Sequence, residues 1–168
     1  MRYAKVGQLA VLVILACVLG MAAVHADEVK AVMKAPSPFL VTAAGQSPDV
    51  LMVKIVSERE KLSFTYKALA EVSDLTGMNT LLLVMGVSMK GLGSAGLNMD
   101  QELSRIDDLV AAAKSKGILV VGMFAGGAGG RGGRDQITDA LLSKVAPKMD
   151  RLVVIKTGDK DGFLLGIS

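Results

Sequence analysis

The chain has 168 residues, 51% of them hydrophobic and 21% charged, a formal net charge of +3, one cysteine, one histidine and no tryptophan. No basic stripe is interleaved with aromatics, so nucleic-acid binding is not expected. The cysteine and histidine are Cys17 and His25, both inside an N-terminal stretch unlike the rest, and this restricts the chemistry open to everything after it.

Residues 1–26 combine a short basic start (Arg2, Lys5), an apolar run from Leu9 to Val24, and small residues at Val24 and Ala26. That pattern reads as a secretory signal peptide cleaved after Ala26, in preference to an uncleaved anchor or a lipoprotein box at Cys17. The expected location is therefore exported, periplasmic or extracellular. The remaining chain, Asp27–Ser168, has neither Cys nor His. It forms no disulfide, and Cys–His and Ser–His–Asp mechanisms are excluded from it. A transition-metal site would have carboxylates alone, so no metal and no cofactor are expected. Its charges nearly balance, because two of the 19 basic residues lie before Ala26 and none of the 16 acidic ones does. No second long apolar stretch occurs, so the domain is expected outside the membrane.

Residues 27–37 read as a leader, and 38–168 as one domain. Phe39–Thr42 reads as a first strand and 43–48 as a turn. A helix is predicted from Pro48 to about Arg59, with Ser47 as its N-cap, Pro48 at the first helical position and Asp49 favouring the dipole. Val50, Leu51, Met52, Val53 and Ile55 are apolar on more than one face, which predicts deep burial. Ser63–Ala68 alternates like an edge strand, and the continuous apolar run Thr80–Val87 reads as a central one. Residues 86–97 read as a loop. Asn98 and Gln101 then resemble a capping box, opening a helix with Leu103, Ile106, Val110 and Ala113 on one face. Gly117 stops it.

Ile118–Phe124 is a fourth predicted strand and about 135–145 a third helix ended by Pro147. Arg151–Lys156 is a fifth strand. The predicted fold class is α/β, a single three-layer domain with a mostly parallel five-stranded sheet in the flavodoxin-like order 2-1-3-4-5. A final covering helix is expected to be missing after Lys156, leaving a face for a possible protein partner.

In such sheets ligands sit outside the carboxyl ends of the strands. Four loops meet there: 43–48, 86–97, 125–134 and 157–162. They carry the candidate ligand-binding residues Gln46, Ser47, Asp49, Ser88, Lys90, Arg131, Arg134 and Asp159. Seven of the thirteen residues from Gly122 to Arg134 are glycine, which leaves backbone N–H groups open to close approach. Cations beside helix starts favour an anion such as phosphate or carboxylate.

Thr42-Ala-Ala-Gly45-Gln-Ser47 resembles the phosphate loop of flavodoxins, but the aromatic platforms for a flavin ring are missing, so a flavin is not expected. Four blocks resemble a family of small secreted bacterial proteins of unknown function. They are Thr42–Asp49, Ser88–Gly96, Asp100-Gln-Glu102 and Lys156–Phe163. The resemblance implies an exported single-domain α/β protein without an established activity. The glycine-rich 125–134 loop and the early C-terminus depart from the pattern.

These readings favour a non-enzymatic binding protein for a small anionic ligand at the C-terminal edge of the sheet. Two alternatives stay open. One is a carboxylate-based hydrolase or other enzyme without His or Cys, using Asp49, Asp159 or Asp161 for acid–base work, with Lys90 or a metal held by carboxylates as the helper. The other is an accessory protein-interaction module.

Overall fold

The computed structural model describes residues 35–127 and 136–167. The expected signal peptide, the leader before residue 35, and Arg131 and Arg134 lie outside the described residues. Five strands form one sheet: β1 (Phe39–Ala44), β2 (Phe64–Tyr66), β3 (Thr80–Met85), β4 (Leu119–Phe124) and β5 (Arg151–Val154). Every pairing is parallel and the order is β2-β1-β3-β4-β5, the flavodoxin-like arrangement. The α-helices among the described residues are α1 (Asp49–Arg59), α2 (Met89–Ser94), α3 (Met99–Ser115), α4 (Gln136–Val145) and α5 (Phe163–Ile167).

The register explains the apolar runs. Residues of β3 are buried at every position, because helices cover both faces and a parallel central strand has no wet side. On one face Leu40, Leu81 and Val120 align, and α3, α4 and α5 close over them with Ile106, Leu109, Leu141, Leu142 and Leu164. On the other, Val41, Leu82 and Val121 align, and α1 contributes Val50 and Val53. The short edge strand β2 presents half-buried Phe64 and Tyr66 to this second face and exposed Thr65 to solvent.

α3 forms as its sequence requires. The Asn98 Oδ1 accepts from the Gln101 N–H at 2.9 Å, and the Gln101 Oε1 accepts from the Asn98 N–H at 2.9 Å, a reciprocal capping box. Four expectations need correction. α1 is not deeply buried: only Val50, Val53 and Ser57 are covered, while Leu51, Met52, Ile55 and Val56 face solvent. A lone helix on a sheet touches it along one stripe, and its outer half needs a second neighbour to be covered. α1 also begins at Asp49, with Pro48 in the cap position. The 86–97 segment is not all loop but contains α2, masked in the sequence by Gly91 and Gly93, which weaken helix propensity. Finally, α5 does follow the fifth strand, although its five residues pack Leu164 into the α3–α4 side and not over the α1 side.

Candidate functional site

The topological switch point of this sheet lies between β1 and β3, where the chain leaves neighbouring strands in different directions. Backbone hydrogen bonds continue across that gap beyond the strand ends. The Gly86 N–H donates to the Ala44 carbonyl at 2.9 Å, the Ser47 N–H to the Gly86 carbonyl at 3.2 Å, and the Ser88 N–H to the Gly45 carbonyl at 2.8 Å. Gln46 and Val87 form an antiparallel bridge. The turn demands left-handed backbone at Gly45 (φ 96°) and Gln46 (φ 58°). The start of α2 lies so close that a Cβ on Gly91 would collide with the Gln46 carbonyl oxygen. The crevice where a doubly wound sheet commonly admits a ligand is thus closed by the chain's own backbone.

A buried ion pair braces this closure from below. Glu102, in the first turn of α3, is fully buried. Its Oε1 accepts from the Gly45 N–H at 2.8 Å, from Gln46 Nε2 at 3.0 Å and from an Arg105 guanidinium nitrogen at 2.9 Å, and its Oε2 accepts from Arg105 Nε at 2.9 Å. Arg105 reaches on to the Ala43 carbonyl at 2.7 Å and the Ala70 carbonyl at 2.9 Å. Thr42, also buried, donates to the Ala68 carbonyl at 3.0 Å and accepts from the Ala70 N–H at 3.2 Å. Burial pushes the Glu102 carboxyl up, but the Arg105 and Gly45 hydrogen bonds, the Arg105 charge and the Gln46 amide outweigh it and hold it below the usual glutamate range. The β1–α1 turn and α3 therefore meet at one carboxylate, and Arg105 ties the end of β1 at Ala43 and the stretch at Ala70 to it.

This arrangement changes the roles of the predicted site residues. Gln46 is spent on Glu102. The Ser47 hydroxyl donates to Asp49 Oδ2 at 2.9 Å and accepts from the Asp49 N–H at 3.3 Å, so the two form a local turn at the start of α1. Ser88 is the N-cap of α2, its Oγ accepting from the Gly91 N–H at 3.0 Å. Asp159 accepts from the Leu164 N–H at 2.7 Å and the Leu165 N–H at 3.2 Å, capping α5. Lys90 is exposed in the first turn of α2 and makes no hydrogen bond or ion pair among the described residues. The structure thus joins Gln46, Ser47, Asp49 and Ser88 around the β1–β3 exit and leaves Lys90 at its rim.

The sequence pattern assigns no role to Glu102 or Arg105, and it includes Thr42 and Glu102 only within blocks that resemble other proteins. A signal was present, since Glu102 stands four residues before Ile106 on the very stripe that continues to Leu109, Val110 and Ala113. A carboxylate on a core-facing stripe requires a buried partner, and Arg105 was the cation one turn away. Among the described residues no buried side-chain nitrogen or oxygen lacks a partner. No group of three or more metal-binding side chains occurs among them. No helix among them is long and apolar enough to cross a membrane.

Fold and edge together define a doubly wound α/β domain whose switch point is closed by its own backbone and braced by an internal carboxylate–guanidinium knot. The chain belongs to the family described as Domain of unknown function (DUF6305), which matches residues 36–168. No curated protein and no solved structure matched the chain.

Proposed function

We propose that this domain is a non-enzymatic binding protein for a small anionic ligand, held at the C-terminal edge of the sheet on the β3–β4 side of the switch point. The supporting observation is the division of labour at that edge. Gln46, Ser47, Ser88 and Asp159 are committed to protein partners, whereas the ammonium of Lys90 stays exposed and unpaired among the described residues. Asp49 would repel an anion at the β1 exit, so the cationic side begins at Lys90. β4 is the next strand over, and the chain leaving it leads to Arg131 and Arg134, residues suited to bidentate contact with phosphate or carboxylate. Catalysis is the weaker reading, because Asp159 already serves as a helix cap. An export signal fits a domain that meets its ligand outside the cytoplasm.

The test is a thermal-shift titration with inorganic phosphate, pyrophosphate and citrate. A ligand at 100 times its dissociation constant adds about 2.7 kcal/mol. The Lys90→Ala/Arg131→Ala variant should lose the shift while keeping its melting temperature in the absence of anion. An undiminished shift in that variant, or none in the parent with any of the three anions, would sink the reading.

A further inference from the structure

We infer that the outward face of α1 is a two-fold contact surface for a second copy of this chain. Its apolar side chains are arranged in a way that burial against the sheet does not explain. Val50, Val53 and Ser57 face the sheet, and on the opposite side of the same helix Leu51, Met52, Ile55 and Val56 are 48%, 56%, 60% and 56% exposed. Four large apolar residues on an outward face form a continuous patch, unlike the scattered exposed residues that any surface carries. They fall on two parallel rows at i, i+4 spacing. One is Leu51–Ile55, continued by Arg59, and the other is Met52–Val56, preceded by exposed Pro48. Two such rows with a groove between them are the elements of helix–helix packing, and each can seat the other's ridge.

The charges select the occupant. The helix carries Asp49, Lys54, Glu58 and Arg59, which balance, and Lys54 and Glu58 pair with each other at 2.6 Å on its flank. A helix that lies on an anionic membrane needs a cationic rim, which α1 lacks. A copy of itself fits better. Antiparallel apposition sets the helix dipoles head to tail. It also brings each Arg59, which has no partner among the described residues, within side-chain reach of Asp49 of the second copy. Among the described residues the Asp49 carboxylate makes one hydrogen bond, from the Ser47 hydroxyl. Such a contact is isologous, and two copies close it completely. The contact rests on one helix face, whereas a standard interface takes roughly 20–30 residues a side, so the dimer is weak and forms by mass action.

The experiment is sedimentation velocity of the full chain over a concentration series, run alongside Ile55→Glu, Met52→Lys and Arg59→Glu. These share every other segment with the parent, so a difference between them reports on α1 alone. The parent should shift from monomer to dimer as concentration rises. Ile55→Glu and Met52→Lys should raise the dissociation constant at least about tenfold and Arg59→Glu severalfold, with unchanged circular dichroism. A parent that stays monomeric to about 1 mM, or a dimer indifferent to both Ile55→Glu and Met52→Lys, overturns the inference. As an independent check, Ile55→Cys in a Cys17→Ser background should be cross-linked by a short bis-maleimide, and Ser73→Cys in that background should not. Equal cross-linking of the two would overturn it as well.

Discussion

α1 and α3 pack on opposite faces of one sheet, and each breaks the expected pairing of residue type with burial in its own direction. α3 buries a carboxylate completely, whereas α1 leaves four large apolar side chains in water. An apolar residue inside or a charge outside carries little information; a buried charge and an exposed apolar stripe carry much more. On α3 the anomaly is resolved within the molecule, since Glu102 finds Arg105, Gln46 and the Gly45 N–H. On α1 nothing among the described residues resolves it, and the inferred two-fold contact rests on that difference.

The contrast is broken most forcefully at Glu102. Glu102→Ala strips Arg105, whose side chain is 13% exposed, of its counter-charge and leaves the Gly45 N–H without its acceptor. Removing one partner of a buried pair costs about 3–5 kcal/mol, a large part of a typical domain's stability. The midpoint of urea unfolding should fall accordingly, and a loss under 1 kcal/mol would mean that the knot is not a brace. The same carboxylate sets a pH dependence. Its folded pKa lies below the ordinary value of 4.5, so the unfolded chain takes up the proton first. Its contribution is fully present above that value and is lost as pH falls through the lower folded pKa. Glu102→Gln should flatten the decline in stability below about pH 4.5, and an unchanged acid limb would assign the decline to other carboxylates.

The next effect down is at the sealed switch point. Gly91→Ala places a methyl group against the Gln46 carbonyl oxygen, and the backbone shift needed to relieve it should cost about 1–3 kcal/mol. Gly93→Ala is the matched control, since nothing lies within 4 Å of its added carbon. There the gain in helix propensity should make the change neutral or stabilising. If the two substitutions behave alike, the loops are looser than the bonds across them indicate. Ser88→Ala, which removes only the α2 cap, should cost about 1 kcal/mol.

The sheet was legible because its signals are local and repeated. The unbroken apolar run of β3 announced a strand covered on both sides, and glycine or proline punctuated the predicted elements, so order and topology followed from the connection rules. The candidate edge was legible only as a position. Their positions suggest Gln46, Ser47 and Ser88 as ligand contacts, but a polar side chain beside a strand end satisfies the nearest donor or acceptor first. Here those were Glu102, Asp49 and the Gly91 N–H. Glu102 pairs locally with Arg105 three residues on, but its contacts with Gln46 and Gly45 lie 56 and 57 positions away, and no window of sequence displays that part of the knot. α1 was misread for a related reason. Its composition said apolar, and composition does not distinguish burial against the sheet from burial against something else.

The smallest expected effect is the sharpest test of that last distinction. Ile55 is 60% exposed, so in dilute solution Ile55→Ser should alter unfolding free energy by no more than about 0.5 kcal/mol, as a surface substitution does. The same change at Leu109, fully buried on α3, removes core contacts and places a hydroxyl among apolar neighbours. The loss there should exceed the roughly 2–5 kcal/mol of a simple truncation to alanine. Repeated at high concentration, the Ile55→Ser experiment should show a second, concentration-dependent loss, because the parent gains stability from association and the variant does not. A small loss when dilute and a larger one when concentrated is the signature of an apolar face that matters between molecules. A large loss at both would mean that Ile55 is covered by the molecule's own fold, and α1 would then belong with α3.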